Sequence, residues 1–334
     1  YLKEKESQFG IHSNSIWSIH SDSTNRIWLG FYDQGLVKFD PIHFKFKFLQ
    51  NNSESKTQPF PISVSSIIKD NNDRIWFSSV DNGVYVYDSF QNEYTHLNDS
   101  KNKIANGLNS LDITSLFIDS QQNIWVASWY DGLYFLRNGT KNFININTNS
   151  TPHKLISNRV VSFSEDTKGI IWIGTFEGGL YSFDINTDKL IHYDDQQFID
   201  FELEKGNIRK VTTDSYDNVW LGTRKGLFRY NPKTKVITSI NEKIKKAINN
   251  FSVNFIVFSI YEDTNKTIWI GTDGYGLFSY SPNEDIITWL GEGKEIRNMS
   301  INAITQTYDG SFWLGTDNGL VRYDIDTDDY RIYD

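Results

Sequence analysis

The sequence predicts an all-β protein, a seven-bladed β-propeller with four antiparallel strands per blade, and three observations lead there. Tryptophan returns at Trp28, Trp76, Trp125, Trp172, Trp220, Trp269 and Trp313, at intervals of 48, 49, 47, 48, 49 and 44 residues. A fixed period of this size marks stacked supersecondary units that share one core. Each tryptophan carries the same frame: a small residue two positions on (Gly30, Ser78, Ala127, Gly174, Gly222, Gly271, Gly315), then a glycine-aliphatic pair such as Gly35-Leu36 or Gly179-Leu180. Finally, each repeat holds four short strand-like stretches separated by tight polar turns, the signature of an antiparallel meander.

Repeat four shows the elements in order. Its strands read Val160-Val161-Ser162-Phe163, Ile170-Ile171-Trp172-Ile173-Gly174-Thr175, Leu180-Tyr181-Ser182-Phe183 and Lys189-Leu190-Ile191-His192-Tyr193. The first turn contains an acid six residues ahead of the tryptophan, repeated as Asp22, Asp70, Asp119, Asp166, Asp214 and Asp263. Such an acid suits a hairpin cap that accepts backbone N–H bonds. Repeat seven departs, with Thr307 there and a shifted Asp309-Gly310 pair. The tryptophan on the second strand is expected between neighbouring blades, where burying roughly 150–250 Å² stabilises by about 4–6 kcal/mol. The small residue beyond it shares its face of the strand and fits the narrow part of the wedge. The glycine opening the third strand suits a turn with positive φ. A lone meander cannot bury both faces, and radial stacking solves this while leaving short edges.

The blades are expected over approximately 15–61, 62–107, 108–157, 158–206, 207–253, 254–299 and 300–334, as a single domain. Residues 1–14 form a lead-in: Tyr1-Leu2 lies 27 residues before Trp28, the offset of Tyr193 from Trp220, as if it were an outer strand of a preceding blade. Either this strand docks on blade seven as an extra or competing strand, or the chain is cut from a longer array, the reading we prefer. Helix is expected only within a between-blade connection, at Glu242 to Asn249.

Composition narrows function. A net charge of −9 without a basic run argues against nucleic acid and anionic membrane, which need clustered Lys and Arg. With no cysteine there is no disulfide framework or thiolate metal site, and no apolar run is long enough to span a bilayer. His12, His20, His43, His96, His153 and His192 are scattered without ligand spacing, so no metal and no cofactor is expected. No nucleophile motif or phosphate loop occurs. Turn carboxylates are plentiful, but no pair stands out as the two acids of a glycosidase, and no catalytic residue is assigned. The acid ahead of each tryptophan resembles the sialidase Asp-box, where it stands five residues ahead and staples a turn.

The phrase Ser162-Phe163-Ser164-Glu165-Asp166, Ile171-Trp172-Ile173-Gly174-Thr175, Gly179-Leu180-Tyr181-Ser182-Phe183-Asp184 resembles the two-component regulator propeller repeat. It returns as Ile268-Trp269-Ile270-Gly271-Thr272 with Gly276-Leu277-Phe278, and as Phe312-Trp313-Leu314-Gly315-Thr316 with Gly319-Leu320. Ser78-Ser79 and Ala127-Ser128 depart from its Gly-Thr. The resemblance implies a periplasmic sensor propeller, part of an inner-membrane hybrid two-component system of the Bacteroidetes type. Such a system detects oligosaccharides and signals through a histidine kinase outside this segment, and the full-length receptor can form a homodimer.

In a four-stranded blade the loop between second and third strands and the crossover to the next blade emerge on one face. These loops vary on a constant frame, which is how a repeat scaffold displays a site. Tyr32, Trp129, Tyr130, Phe176, Arg224, Lys225 and Tyr275 are the expected ligand contacts, with Asp33, Asp131, Glu177 and Asp273 as acceptors. Rings pack on pyranose faces while charged groups bond hydroxyls or a uronate. Arg159 and Arg209 add positive charge nearby. Two other classes stay open: a propeller enzyme of the streptogramin-lyase type, and an interaction scaffold using the insertions at Gln50 to Pro61, His96 to Gly107 and Asn241 to Val253.

Overall fold

The computed structural model describes residues 15–22, 24–49, 61–99, 104–203, 205–250 and 254–333. They form seven four-stranded antiparallel sheets, each built from consecutive strands. The first strand of every blade touches the first strands of both neighbours, and that of blade seven touches that of blade one. The seven first strands therefore surround a common axis, and the expected propeller is what the chain forms. In blade four the strands are Val160–Glu165, Ile170–Thr175, Gly179–Asp184 and Lys189–Tyr193, within two residues of the sequence reading. The lead-in at 1–14 lies outside the described residues, as do parts of the three insertions.

Helix is confined to connections. Asn241–Ala247 is the expected one; Gln196–Asp200 and the short 3-10 turn Glu295–Asn298 were not legible. The second is started by Asp195, whose carboxylate accepts the N–H of Gln197, and is held by the buried ring of Phe198. A single apolar anchor in five residues leaves no periodic pattern to read.

All seven tryptophans are buried, and each lies against the following blade. Trp28 meets Tyr87, Trp125 meets Phe163 and Phe183, Trp172 meets Tyr230, Trp220 meets Tyr280 and Trp269 meets Phe312. Trp313 closes the ring against Phe39 of blade one, at 5.4 Å between ring centroids. The small residue beyond is explained by the same interface: a Cβ on Gly222 would come within 2.8 Å of Val257 Cγ1 in blade six. Gly226 opens its third strand at φ +105°, where a Cβ would also collide with the Asn241 side chain.

The upstream acid does more than cap a turn. In blade five, Asp214 Oδ1 accepts the N–H groups of Tyr216 and Asn218, while Oδ2 accepts Trp220 Nε1 at 2.8 Å. The same indole-to-carboxylate bond joins Trp28 to Asp22, Trp76 to Asp70, Trp125 to Asp119, Trp172 to Asp166 and Trp269 to Asp263, at 2.8–3.2 Å. One carboxylate thus fixes the first turn and satisfies the only polar atom of the buried anchor. Blade seven lacks it: Asp309 caps the turn through Thr307 and Ser311, and Trp313 Nε1 is buried without a partner. Arg322 lies over that ring at 5.9 Å. The seam with blade one is instead stitched by polar bonds: Ser21 Oγ to Thr305 Oγ1 at 3.0 Å, and Asn302 Nδ2 to the Ile16 carbonyl at 3.0 Å.

Asp214→Ala strands a buried indole N–H and frees two turn amides, and is expected to destabilise by about 2–4 kcal/mol in urea unfolding. Thr307→Asp combined with Asp309→Asn writes the blade-two and blade-six turn into blade seven. It is expected to raise the midpoint by supplying the acceptor Trp313 lacks, worth about 1 kcal/mol. His20, on the inner strand of blade one, has its pKa pulled down to about 4 by burial, with Lys69 lowering and Asp22 raising it. The folded state then binds fewer protons than the unfolded state between about pH 6.5 and 4, so stability falls as pH falls through that window. His20→Gln is expected to flatten this decline, read as unfolding midpoint against pH.

Candidate functional site

The loop between second and third strands is tied to the head of its own blade's inner strand by a recurring backbone bond. Tyr32 donates to the Ser15 carbonyl, Trp129 to Asp112, Phe176 to Arg159, Arg224 to Asn207, Asp273 to Ile256 and Asp317 to Ser300, at 2.7–3.4 Å. Loop and crossover therefore share one face, as expected.

A second device aims side chains at it. The inner strand shifts register against the second strand between Ile16 and Ser18, Val160 and Ser162, Ile208 and Lys210, Val257 and Ser259, and Ile301 and Ala303. The extra residue in each β-bulge is Trp17, Val161, Arg209, Phe258 or Asn302. A bulge re-aims the residue it inserts, and the contacts show where. Trp17 stacks against the loop residue Tyr32 at 4.7 Å, and Arg209 lies over Phe258 of the next blade at 5.3 Å. Trp17, Arg209 and Phe258 thus join the face, although the expected contacts included none of them.

Across blades three to five the expected residues meet. Trp129 and Phe176 lie 5.0 Å apart, and Arg159 sits over both, at 5.3 and 6.0 Å. Arg159 is held by Glu177 at 2.8 Å, and Arg224 reaches the other side of this group at 5.9 Å from Phe176. Tyr130 stands exposed beside it, while Asp131 donates its backbone N–H to Ser128 Oγ and keeps its carboxylate free of that turn bond. Lys225 is paired with Glu202, and Asp273 accepts from Ser300 Oγ at 2.9 Å. Tyr32 and the exposed Asp33 belong to blade one, apart from this cluster. Tyr275 is placed otherwise: its ring packs half-buried against the blade-six core, and its carbonyl accepts Trp289 Nε1 at 2.8 Å.

The face is electrically divided. In blades two and three, burial together with Asp131 and Asp81 raises the pKa of Asp112. In blade five, burial and the charge of Arg224 lower that of Arg209, with Asp273 acting the other way. Two cavities of about 450 and about 500 Å³ lie elsewhere, one between first and third turns of blades two and three, the other at the outer edge of blades three and four. Among the described residues no group of three or more acids and histidines could hold a metal, and no helix is long and apolar enough to cross a membrane.

The fold and this face define a repeat propeller that presents variable aromatic and charged loops on a constant frame. The profile of the two-component regulator propeller matches residues 107–130, 154–177, 250–274 and 295–318. The chain is 27% identical over 227 residues to histidine kinase P4 of Formosa agariphila, covering 66% of this chain and 16% of that protein. The extracellular domain of a hybrid two-component system from B. thetaiotaomicron superposes with a TM-score of 0.75 at 22% identity, over 92% of this chain and 39% of that one. A streptogramin B lyase gives 0.68 at 15% identity, over 93% of each. The chain thus spans well under half the length of the two signalling relatives.

Because the Arg159–Glu177 pair is exposed, Glu177→Gln is expected to change folding stability by less than about 1 kcal/mol in urea unfolding. A larger loss would mean that the pair holds the loops together and is not available to a ligand.

Proposed function

We propose that this propeller is the extracytoplasmic, periplasmic ligand-recognition segment of a hybrid two-component sensor anchored in the inner membrane, and that it binds an oligosaccharide. The signal passes to a histidine kinase outside this segment, with the full-length receptor acting as a homodimer. The observation that carries the reading is the Trp129–Phe176 pair with Arg159 and Glu177 at its edge. Two tilted rings beside charged groups match a sugar, which offers an apolar ring face and a rim of hydroxyls. The match of four segments to the two-component regulator propeller profile and likeness to a histidine kinase support the signalling half.

A second reading, a propeller lyase or other glycan-active enzyme, is favoured by the full-length likeness to a streptogramin B lyase. Catalysis would need an acid or base poised among the reacting atoms. Among the described residues His96 and His192 reach these loops, and they bond the carbonyls of Asn82 and Gly178 from outer strands.

Titration calorimetry against defined oligosaccharides, with mass spectrometry of the mixtures, separates the readings. Binding without product is expected, weakened at least about tenfold by Trp129→Ala or Phe176→Ala, equivalent to about 1.4 kcal/mol. Turnover would replace sensing by catalysis, and no binding to any glycan would leave an interaction or dimerisation scaffold.

A further inference from the structure

Among the described residues two side-chain atoms buried without a hydrogen-bond partner stand at the head of one strand: Asn207 Oδ1 and Arg209 Nε. Native proteins pair buried polar atoms, so a cluster of orphans calls for an absent partner. These two are an acceptor and a donor, on blade five beside the aromatic pair.

The cations around them sort into two kinds. Arg159 is neutralised by Glu177 and Lys225 by Glu202. Arg209 and Arg224 form no ion pair, and each guanidinium rests on a ring, Phe258 and Phe176 respectively. They are close enough for the charge of Arg224 to act against Arg209, which burial already disfavours. Asp273 is the one carboxylate felt at Arg209, and it is occupied by Ser300 Oγ. The next residue along the inner strand is Lys210, where the other blades carry Ser18, Ser66, Ser115, Ser162, Ser259 or Ala303. Four of these serines, Ser18, Ser66, Ser162 and Ser259, bond the backbone of the following blade; Lys210 makes no hydrogen bond or ion pair, and burial lowers its pKa. A chain of net charge −9 thus brings two arginines without an ion pair, Arg209 and Arg224, close together on blade five.

Leaving the partly buried Arg209 unpaired is costly, and an incoming anion relieves that cost. A guanidinium fork fits a planar carboxylate bidentately, and its stacking on an aromatic ring fixes the fork in place. We infer that blade five holds an acidic subsite, in which Arg209 and Arg224 receive the carboxylate of a uronate unit while Asn207 accepts one of its hydroxyls. This rests on the sugar reading above and names the class of sugar: the neutral part of the ligand lies on Trp129 and Phe176, and the charged unit is seated over blade five.

The test compares oligogalacturonates with galactose oligomers of the same length, and with galactose oligomers bearing sulfate, by calorimetry at fixed ionic strength. The acidic series is expected to bind at least about tenfold tighter than the neutral one. That preference should shrink with added salt and vanish in Arg224→Gln, which alters an exposed side chain, and in Arg209→Met. Equal affinity for acidic and neutral sugars overturns the subsite but leaves the sugar reading intact. An acidic preference that survives both variants overturns the assignment to these arginines, and preference for the sulfated series replaces the carboxylate. If acetate and sulfate alone show the same arginine-dependent binding and no sugar improves on them, the anion site stands and the sugar reading falls. No arginine-dependent binding by any probe overturns the proposal.

Discussion

The hydrogen bond that joins the buried indole of blades one to six to the carboxylate six residues before it is the constraint on which the ring depends. A tryptophan is the largest apolar anchor a blade can offer its neighbour, but it carries one N–H that costs about 1–3 kcal/mol if buried unpaired. Placing the acceptor on the first turn solves this locally: Asp214 serves Trp220, Tyr216 and Asn218 together. Turn geometry, second-strand position and blade interface therefore become one interaction. Blade seven shows the alternative, a capped turn above an unsatisfied indole, and it is the blade whose partner lies at the opposite end of the described chain.

With the frame fixed by residues on the second strand and first turn, the opposite face is released from structural duty. Its loops need only supply the backbone bond to the inner strand, which any residue can make. Where the inner strand carries a bulge it adds a side chain, so that such a blade contributes from two elements. In blade five both contributions are arginines; in blade one both are aromatic, Trp17 and Tyr32. The acids gather in blades two and three and the free cations in blade five, giving the face an orientation for an asymmetric ligand.

The frame was legible because identical physical demands recur seven times: a period, a small residue at the interface and a glycine with positive φ. The loop face was legible as a class of position, and Trp129, Phe176, Glu177 and Arg224 do come together. What could not be read was direction. Strand alternation alone would not bring Arg209 beside the loop residue Arg224, and a bulge leaves only a weak trace in sequence. That trace exists: the residue after the first aliphatic reads Trp17, Val161, Arg209, Phe258, Asn302 while its neighbours scarcely change. Tyr275 illustrates the converse, since an aromatic in a variable loop is also the residue best able to cover an adjacent core, here that of blade six.

Charge sets two opposing demands on an acidic ligand. The chain's net −9 repels an approaching polyanion, but that repulsion acts through solvent and is screened within about 8 Å at physiological salt. At contact the balance reverses, because Arg209 lies in partly desolvated surroundings where attraction is several times stronger than in bulk water. Steering is therefore weak and local pairing strong. Such a balance favours a short ligand whose one acidic unit reaches blade five over a long polymer whose charges must all cross the acidic surface of blades two and three. Discrimination by length and by position of the charged unit then follows from the same asymmetry that separates Asp112 and Asp131 from Arg209 and Arg224.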